Sequence, residues 1–432
     1  MTGYLLDWGA LLVRWLHLVA GIAWIGASFY FVWLDNHLEP PAADRERDRG
    51  DAGVAGELWA LHGGGFYRSQ KYRVAPQILP ESLHWFYWEA YTTWLSGFGL
   101  LCLLYFFRAE AYLIDPAVAA LTKPAAIGIG LAALVGSWLV YDGLCRSPLG
   151  RHERALAAVL ALLIGVEAWG LCQLFSGRGA FMIFGAALGT IMVANVLFVI
   201  IPGQRELVLA KRQGRDPDAA PGLRGKQRSV HNTYFTLPVL FVMISNHYAM
   251  TYGARYNWLV LVAMSFAGAC IRAWFVVRHK PAGRRGLAPA LPAVLGVLTL
   301  AAVVAALAPT RTPGLQTSGL ATGGPVAGGV VAGDRSVGGG GDAARVVEIV
   351  AQRCVPCHAV NPTQAGFAAP PNGIVLQTIE QLEAHLPEVR EQLMMRAMPL
   401  GNLTGMTEAE RATVLMWIGH GAAHASVASR TQ

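Results

Sequence analysis

Charge is scarce in this sequence. Lys, Arg, Asp and Glu make up 14% of its 432 residues, against about 25% in soluble globular domains. With 54% hydrophobic residues as well, the chain has too little polar surface to cover itself in water, which excludes an ordinary soluble protein. The same shortage excludes intrinsic disorder over most of the length. Cysteine is rare too, six in all, too few for a disulfide-built scaffold. No second C-x-x-C and no Gly-rich loop ending in Lys-Ser/Thr occur, so a four-cysteine zinc site and a nucleotide P-loop are both missing. The formal net charge of +7 would suit nucleic acid, but in a membrane chain such an excess reports loop topology.

Apolar length, by contrast, is abundant. Stretches near the roughly 20 residues that cross a bilayer recur eight times, at about 8–34, 83–106, 125–145, 155–175, 180–201, 234–252, 257–278 and 287–308. They predict an all-α fold, with a polytopic bundle of about eight helices over residues 1–308, because a helix satisfies its own backbone in lipid. The first stretch is too long for a cleaved signal and holds Arg14 and His17, so it is expected to stay as a span. The odd-numbered loops carry 20 Lys and Arg against 4 on the even ones. That asymmetry places the odd loops in the cytoplasm and both termini outside a bacterial inner membrane. The basic excess then faces membrane lipid and leaves no role for nucleic acid.

Composition changes after the eighth stretch. Residues 309–341 are rich in Gly, Ser, Thr and Pro and read as a flexible tether reaching about 30 Å. Residues 342–432 regain ordinary polarity. AARVVEIVAQRC and TEAERATVLMWIGHG pattern as amphipathic helices, the second opened by Thr407 and Glu410 at capping-box spacing.

Cys354-Val355-Pro356-Cys357-His358 is the C-x-x-C-H attachment signature of a c-type haem. Two thiols on one helical turn can add to the two vinyl groups, and His358 then faces the iron as proximal ligand. A zinc knuckle or a structural disulfide is the plainer alternative. Met398, followed by Pro399 in a Gly-containing loop, is the expected sixth ligand, with Met406 as second choice. Met394 and Met395 read as helix-face packing and His385 as surface. The C-terminal region is thus expected to be a small all-α cytochrome c domain of class I type, with one covalent haem c.

Ionisable groups inside apolar spans mark functional sites by default. On the orientation above they fall into two layers. His84, Glu89, Asp142, Asn195 and Arg272 lie toward the cytoplasm, with His62, Arg68 and His231 in nearby loops. Arg14, His17, Glu167, Asn246 and His247 lie toward the outside. The inner layer suits a planar anion bearing carbonyl and N–H groups: Arg272 for bidentate binding, with His84, His231 and an amide beside it, and Glu89 to accept protons during oxidation. Helix-end snorkelling is the competing account of each residue taken singly. His17 and His247 could ligate a b-type haem between two helices, or each could simply hydrogen-bond a neighbouring helix. Trp15, Trp24, Trp85, Trp88 and Trp94 read as interface belt and packing. His62-Gly63-Gly64-Gly65-Phe66-Tyr67 reads as a re-entrant loop or a close backbone approach to substrate.

Three long strings, HGGGFYRSQKYRVAPQILPESLHWFYWEAYTTWLSGFGLL (62–101), LGTIMVANVLFVIIPGQRE (188–206) and RGKQRSVHNTYFTLPVLFVMISNHY (224–248), resemble the bacterial membrane-bound urate oxidases that carry a C-terminal cytochrome c. The resemblance extends over spans, tether and haem region. One departure is Ala249, where Pro is more usual, a change that bears on helix bending alone. The resemblance implies oxidation of urate toward 5-hydroxyisourate in purine breakdown. Electrons would pass to the chain's own haem and then to a downstream cytochrome or terminal oxidase, without release of hydrogen peroxide. From the residues alone, a second reading stands beside it: a membrane-anchored cytochrome that conducts electrons for a separate dehydrogenase.

Overall fold

A computed structural model describes residues 2–41, 53–278, 290–308 and 340–428, apart from 365–366, 368–369 and 395. The tether through residue 339, Arg45, Arg47, Arg49, Lys280, Arg284, Arg285 and Met395 lie outside the described residues. The chain divides into two compact units, Met1–Val303 and Val304–Gln432.

The first unit is helical, as its apolar periods require. Its helices are α1 (Thr2–His37), α2 (Trp88–Leu100), α3 (Lys123–Arg146), α4 (Glu153–Leu174), α5 (Gly177–Asn195), α6 (Ile201–Arg212), α7 (Ala219–Ser245), α8 (Asn257–Val277) and α9 (Leu291–Ala306). Five segments among the described residues are long and apolar enough to cross a membrane: Trp8–His37, Lys123–Arg146, Glu153–Leu174, Gly177–Arg212 and Asn257–Val277. The other three stretches are helical as well, with different bounds. Helix α2 runs on as a π-helical segment, Leu101–Phe106, and α9 spans 16 residues. Helix α7 starts at Ala219, well before the apolar run, because Asp218 caps it by accepting from the Ala220 N–H and the basic stretch after it stays helical. It stops at Ser245, and one turn resumes at Ala249–Tyr252.

Helix α5 forms the centre. Phe181, Ile183, Phe184, Ala187 and Leu188 are all buried, so the middle of this helix is apolar on most of its faces, as a largely enclosed helix must be. It approaches α7 closely at Gly185, where a Cβ would stand 2.5 Å from Val242.

One element departs from the all-helical expectation. Val54–His62 (β1) and Gly65–Tyr72 (β2) pair antiparallel. Gly63 and Gly64 form the two-residue turn with φ of 56° and 80°, the left-handed pair that a type I′ hairpin demands. The HGGGFY glycines therefore build a hairpin tip, which corrects the re-entrant reading.

The second unit comprises α10 (Gly340–Arg353), α11 (Val355–His358), α12 (Ile379–Glu383), α13 (Leu386–Met394) and α14 (Glu408–Ala428). Its core joins Val346, Ile349, Val350, Leu376, Leu382, Leu393, Met406, Val414 and Ile418. The capping box of α14 is complete: Thr407 N–H donates to Glu410 at 2.8 Å, and Glu410 N–H donates to Thr407 Oγ1 at 3.2 Å. Arg353 at the end of α10 also donates to Glu410, at 3.0 Å, and to the Thr404 carbonyl.

The hydrogen bonds from Arg353, and then from the Thr407 backbone, hold the Glu410 carboxyl below its ordinary value. A carboxyl lowered in the folded state stabilises the fold above the unfolded glutamate pKa, near 4.3, and loses that contribution as pH falls through the folded value. Acidification from pH of about 5 to about 3 should therefore loosen this junction. Hydrogen exchange in residues 408–418 of the full chain should accelerate over that interval. An Arg353→Met variant should flatten the response, and an unchanged pH profile in that variant would refute the assignment.

Candidate functional site

Three helices meet in a buried polar layer at one end of the first unit. Near its C-terminus α3 supplies Tyr141 and Asp142, α5 ends on Asn195, and α7 contributes Arg228, His231 and Asn232. The last three sit at i, i+3 and i+4 and so share one helix face. All six are buried except His231, which is half-buried. Asn195 is followed at once by a π-helical segment, Val196–Ile200, and such wide turns recur at functional sites.

A backbone acceptor fixes the direction of the carboxamide hydrogen bonds. The Met192 carbonyl can only accept, so Asn232 Nδ2 donates to it at 2.9 Å. Asn232 Oδ1 then accepts from Asn195 Nδ2 at 2.9 Å. Asn195 Nδ2 also donates to the Tyr141 hydroxyl at 3.1 Å, and that hydroxyl shares a hydrogen bond of 2.7 Å with His231 Nδ1, its direction set by the histidine tautomer, since a phenolic oxygen can accept twice. With its hydrogen on Nδ1, donated to the Tyr141 oxygen, neutral His231 keeps Nε2 free to accept a proton. Cys145 Sγ lies 4.0 Å from the same Nδ1.

Charge in this layer is unbalanced. Asp142 accepts from buried Arg228 at 2.6 Å and pairs with exposed Arg146 at 2.6 Å, so two guanidiniums share one carboxylate. Arg228 Nη1 and Asn195 Oδ1 are buried without a hydrogen-bond partner. On α8, Arg272 is buried too. Its guanidinium lies 3.7 Å from the centre of the Phe29 ring, and its Nε and Nη2 have no hydrogen-bond partner. Buried polar atoms of this kind need a ligand or ordered water. Arg228 and Asn195 offer a cationic donor and an amide acceptor in this layer, and Arg272 a further cationic donor on α8, groups of the kind that bond a planar anion carrying carbonyl and N–H groups.

Of the four catalytic residues expected from the sequence, His231 and Arg272 fall at these positions. Glu89 is half-buried in the first turn of α2, and His84 is exposed, its ring 4.6 Å from Phe86. The start of α2 packs through Trp85, Tyr87, Tyr91 and Trp94 against Val193, Val196 and Ile201, which puts Glu89 at the same end of the bundle. Among the described residues, no hydrogen bond or ion pair joins Glu89 or His84 to His231 or Arg272.

A second polar group sits toward the other end. Tyr105 donates to Asn246 Oδ1 at 2.9 Å, and Arg178 Nε donates to the same atom at 3.0 Å. Glu167 accepts from Ser137 at 2.6 Å. His17 donates from Nδ1 to the Thr93 carbonyl at 2.9 Å and lies flat on Gly97, where a Cβ would be 2.8 Å from its ring. This is the helix-to-helix hydrogen bond weighed above for that residue. His247 lies on the exposed turn after α7. It adjoins Asn246, which meets Tyr105, whereas His17 meets Thr93 and Gly97, roughly two to three helical turns earlier along α2 and the π-helical segment that continues it. Among the described residues, no hydrogen bond or ring contact joins the two histidines.

In the second unit, Cys354, Cys357 and His358 share one helical turn. The amides of Cys357 and His358 both donate to the Cys354 carbonyl, at 3.1 and 2.9 Å. The cysteines are free thiols, which argues against the disulfide alternative. Burial pushes Cys354 up to about 11 and raises Cys357. His358 Nδ1 donates to the Ile374 carbonyl at 2.9 Å, which turns Nε2 outward as an axial ligand requires. Met398 is half-buried beside Pro399, and Arg411 holds its carbonyl at 2.7 Å. Met406 belongs to the core, and Met394 is exposed. A surface pocket of about 320 Å³ is lined by Val350, Val355, Leu376 and Leu382 together with the polar Gln377, Thr378 and Glu380; Cys354, Cys357, His358 and Met398 do not line it. Among the described residues, no group of three or more His, Cys, Asp or Glu side chains could hold a metal ion, so the zinc alternative lacks ligands. Two thiols, an imidazole anchored through Nδ1 and a thioether form a donor set that fits haem c.

Sequence reasoning passed over Tyr141, Arg228 and Asn232. Arg228 was counted among loop charges, yet its spacing with His231 and Asn232 was the available signal.

Residues 3–307 match the family model described as urate oxidase N-terminal. No significant match is found among curated proteins or solved structures.

Proposed function

The chain belongs to the urate oxidase N-terminal family, and from that premise we propose that it oxidises urate to 5-hydroxyisourate and passes the electrons to its own C-terminal haem domain. Urate and water give 5-hydroxyisourate, two protons and two electrons. The observation that carries the reading is the set of buried, unpartnered polar atoms around His231 and on Arg272. The free Nε–Nη2 edge of Arg272 would bind the planar anion side-on, with Phe29 covering the guanidinium face. Asn195 Oδ1 would accept a ring N–H, and Arg228 Nη1 would meet a ring carbonyl. His231, its Nδ1 held by Tyr141, would exchange a proton at Nε2. Glu89 and His84 would pass protons to solvent.

Cys354 and Cys357 would hold a haem c by thioether bonds, with His358 and Met398 on the iron. When bound, that group supplies one-electron uptake and release, so each turnover needs two transfers. The basic asymmetry of the loops supports an inner-membrane orientation, with this polar layer on the cytoplasmic side and the second unit outside. A downstream cytochrome or terminal oxidase would take the electrons.

Membranes containing this protein as their sole urate-oxidising component should consume urate and develop a reduced c-type haem spectrum. Urate that persists, while an added dehydrogenase reduces the haem, would establish the electron-conduit reading instead. Arg272→Lys keeps the charge and loses the bidentate edge, so KM for urate should rise about tenfold. An unchanged KM would place the anion elsewhere.

A further inference from the structure

The β1–β2 hairpin takes no part in the chemistry above, yet it is built for a contact. Alternation puts Trp59 and Leu61 on one face of β1, and their register partners Arg68 and Phe66 on the same face of β2. At the tip, Trp59, Leu61 and Phe66 are 55%, 67% and 80% exposed. Nearer the root, Glu57 pairs with Arg68, whose guanidinium lies 5.7 Å from the centre of the Trp59 ring. A two-stranded hairpin is marginal in water without something packed on its apolar face.

The root lies where α1 ends. Lys71 pairs with Asp35 in the last turns of α1 at 2.5 Å, and Glu39 and Glu57 exchange backbone hydrogen bonds at 3.0 and 2.8 Å. Since Trp8–His37 is long and apolar enough to cross a membrane, the hairpin emerges at the edge of the bilayer. Arg68 and Lys71 pair with Glu57 and Asp35, and Arg73, just past β2, adds a positive charge beside them. Exposed aromatic and aliphatic side chains beside these basic residues match the headgroup region of an anionic bilayer.

We propose that this hairpin is a membrane-surface finger, with Trp59, Leu61 and Phe66 seated in the headgroup–acyl boundary of the leaflet where α1 ends. Anionic phospholipid is the partner, and the contact is independent of what the polar layer oxidises.

The test uses full-length protein in vesicles of phosphatidylcholine and phosphatidylglycerol, with the Trp59 emission taken as the difference between wild type and Trp59→Phe. Acyl bromines near the headgroup should quench that emission at least about twofold more than bromines near the bilayer centre, because an interfacial element sits only about 5–10 Å deep. Aqueous iodide should quench it weakly. A Leu61→Ser/Phe66→Ser variant should reverse both responses. Emission open to iodide and indifferent to brominated lipid would overturn the proposal. So would resistance to both quenchers together with cross-linking between Phe66→Cys copies, since a second chain would then cover the face. A nitroxide at Leu61→Cys gives an independent reading: greater exposure to oxygen than to a water-soluble nickel chelate supports insertion, and the reverse overturns it.

Discussion

Full-length protein carrying Cys354→Ser and Cys357→Ser is expected to lose covalent haem completely, while its N-terminal helices still insert. Both thiols lie on the turn that also presents His358, since the Cys357 and His358 amides share the Cys354 carbonyl. A serine hydroxyl cannot replace a thiol in addition to a vinyl group, so nothing would tether the macrocycle. Haem staining after denaturing electrophoresis reads the result directly, because only covalently attached haem survives. Either single variant should keep one thioether and a weakened stain. Urate-dependent reduction of the c-type band should vanish in the double variant. The N-terminal unit is compact in its own right, so membrane insertion should be unaffected. A stained band at full length in the double variant would end the haem c assignment.

His231→Ala should lower kcat by roughly 10²- to 10³-fold, within the range of a lost proton-transfer group. KM should change little, because anion binding is assigned to Arg272. Tyr141→Phe should cost less, about tenfold in kcat. It removes the hydroxyl that hydrogen-bonds His231 Nδ1 at 2.7 Å, and with it the partner that steadies the tautomer with Nε2 free. Its pH–rate profile should therefore shift, which mere loosening of the fold would not produce. Asn195→Ala removes the unpartnered acceptor and one anchor of Tyr141 together, so its loss should show in both kcat and KM. Turnover in His231→Ala within about twofold of wild type would remove this histidine from the mechanism. Each variant is compared at equal c-type haem content, so a failure to mature is not read as a failure of chemistry.

The helical architecture was legible because apolar length is a composition signal that survives without contacts. Residues 123–146 and 257–277 show this, with structural bounds close to the apolar runs. The C-x-x-C-H turn and the capping box at Thr407 were legible for a related reason, since each needs only local spacing. Arg228 was not, because its role depends on Asp142, 86 residues away, and a basic residue next to a basic stretch looks like a loop. Tyr141 was hidden in the same way: in sequence it is one more aromatic in an apolar helix, and only Asn195 and His231 give it a direction. The hairpin was missed because its strands lack the clean alternation of a half-buried sheet. Trp59, Leu61 and Phe66 stand exposed on one face, and Gly-Gly reads as a turn only when two strands are already in view. His17 and His247 paired by depth in sequence; in the structure His17 bonds the Thr93 carbonyl, and His247 stands on an exposed turn.

The Met192 carbonyl that orders the hydrogen bonds has a consequence for energy coupling. From His231 the chain runs through Tyr141 to two carboxamides, Asn195 and Asn232, and ends on a backbone acceptor. A carboxamide neither gains nor loses a proton at neutral pH, so this path is closed as a wire. A proton taken up at His231 Nε2 therefore has no route out through the two carboxamides. In the proposed reaction the protons would not travel along this chain with the electrons. This hydrogen-bonded chain would not act as a proton pump.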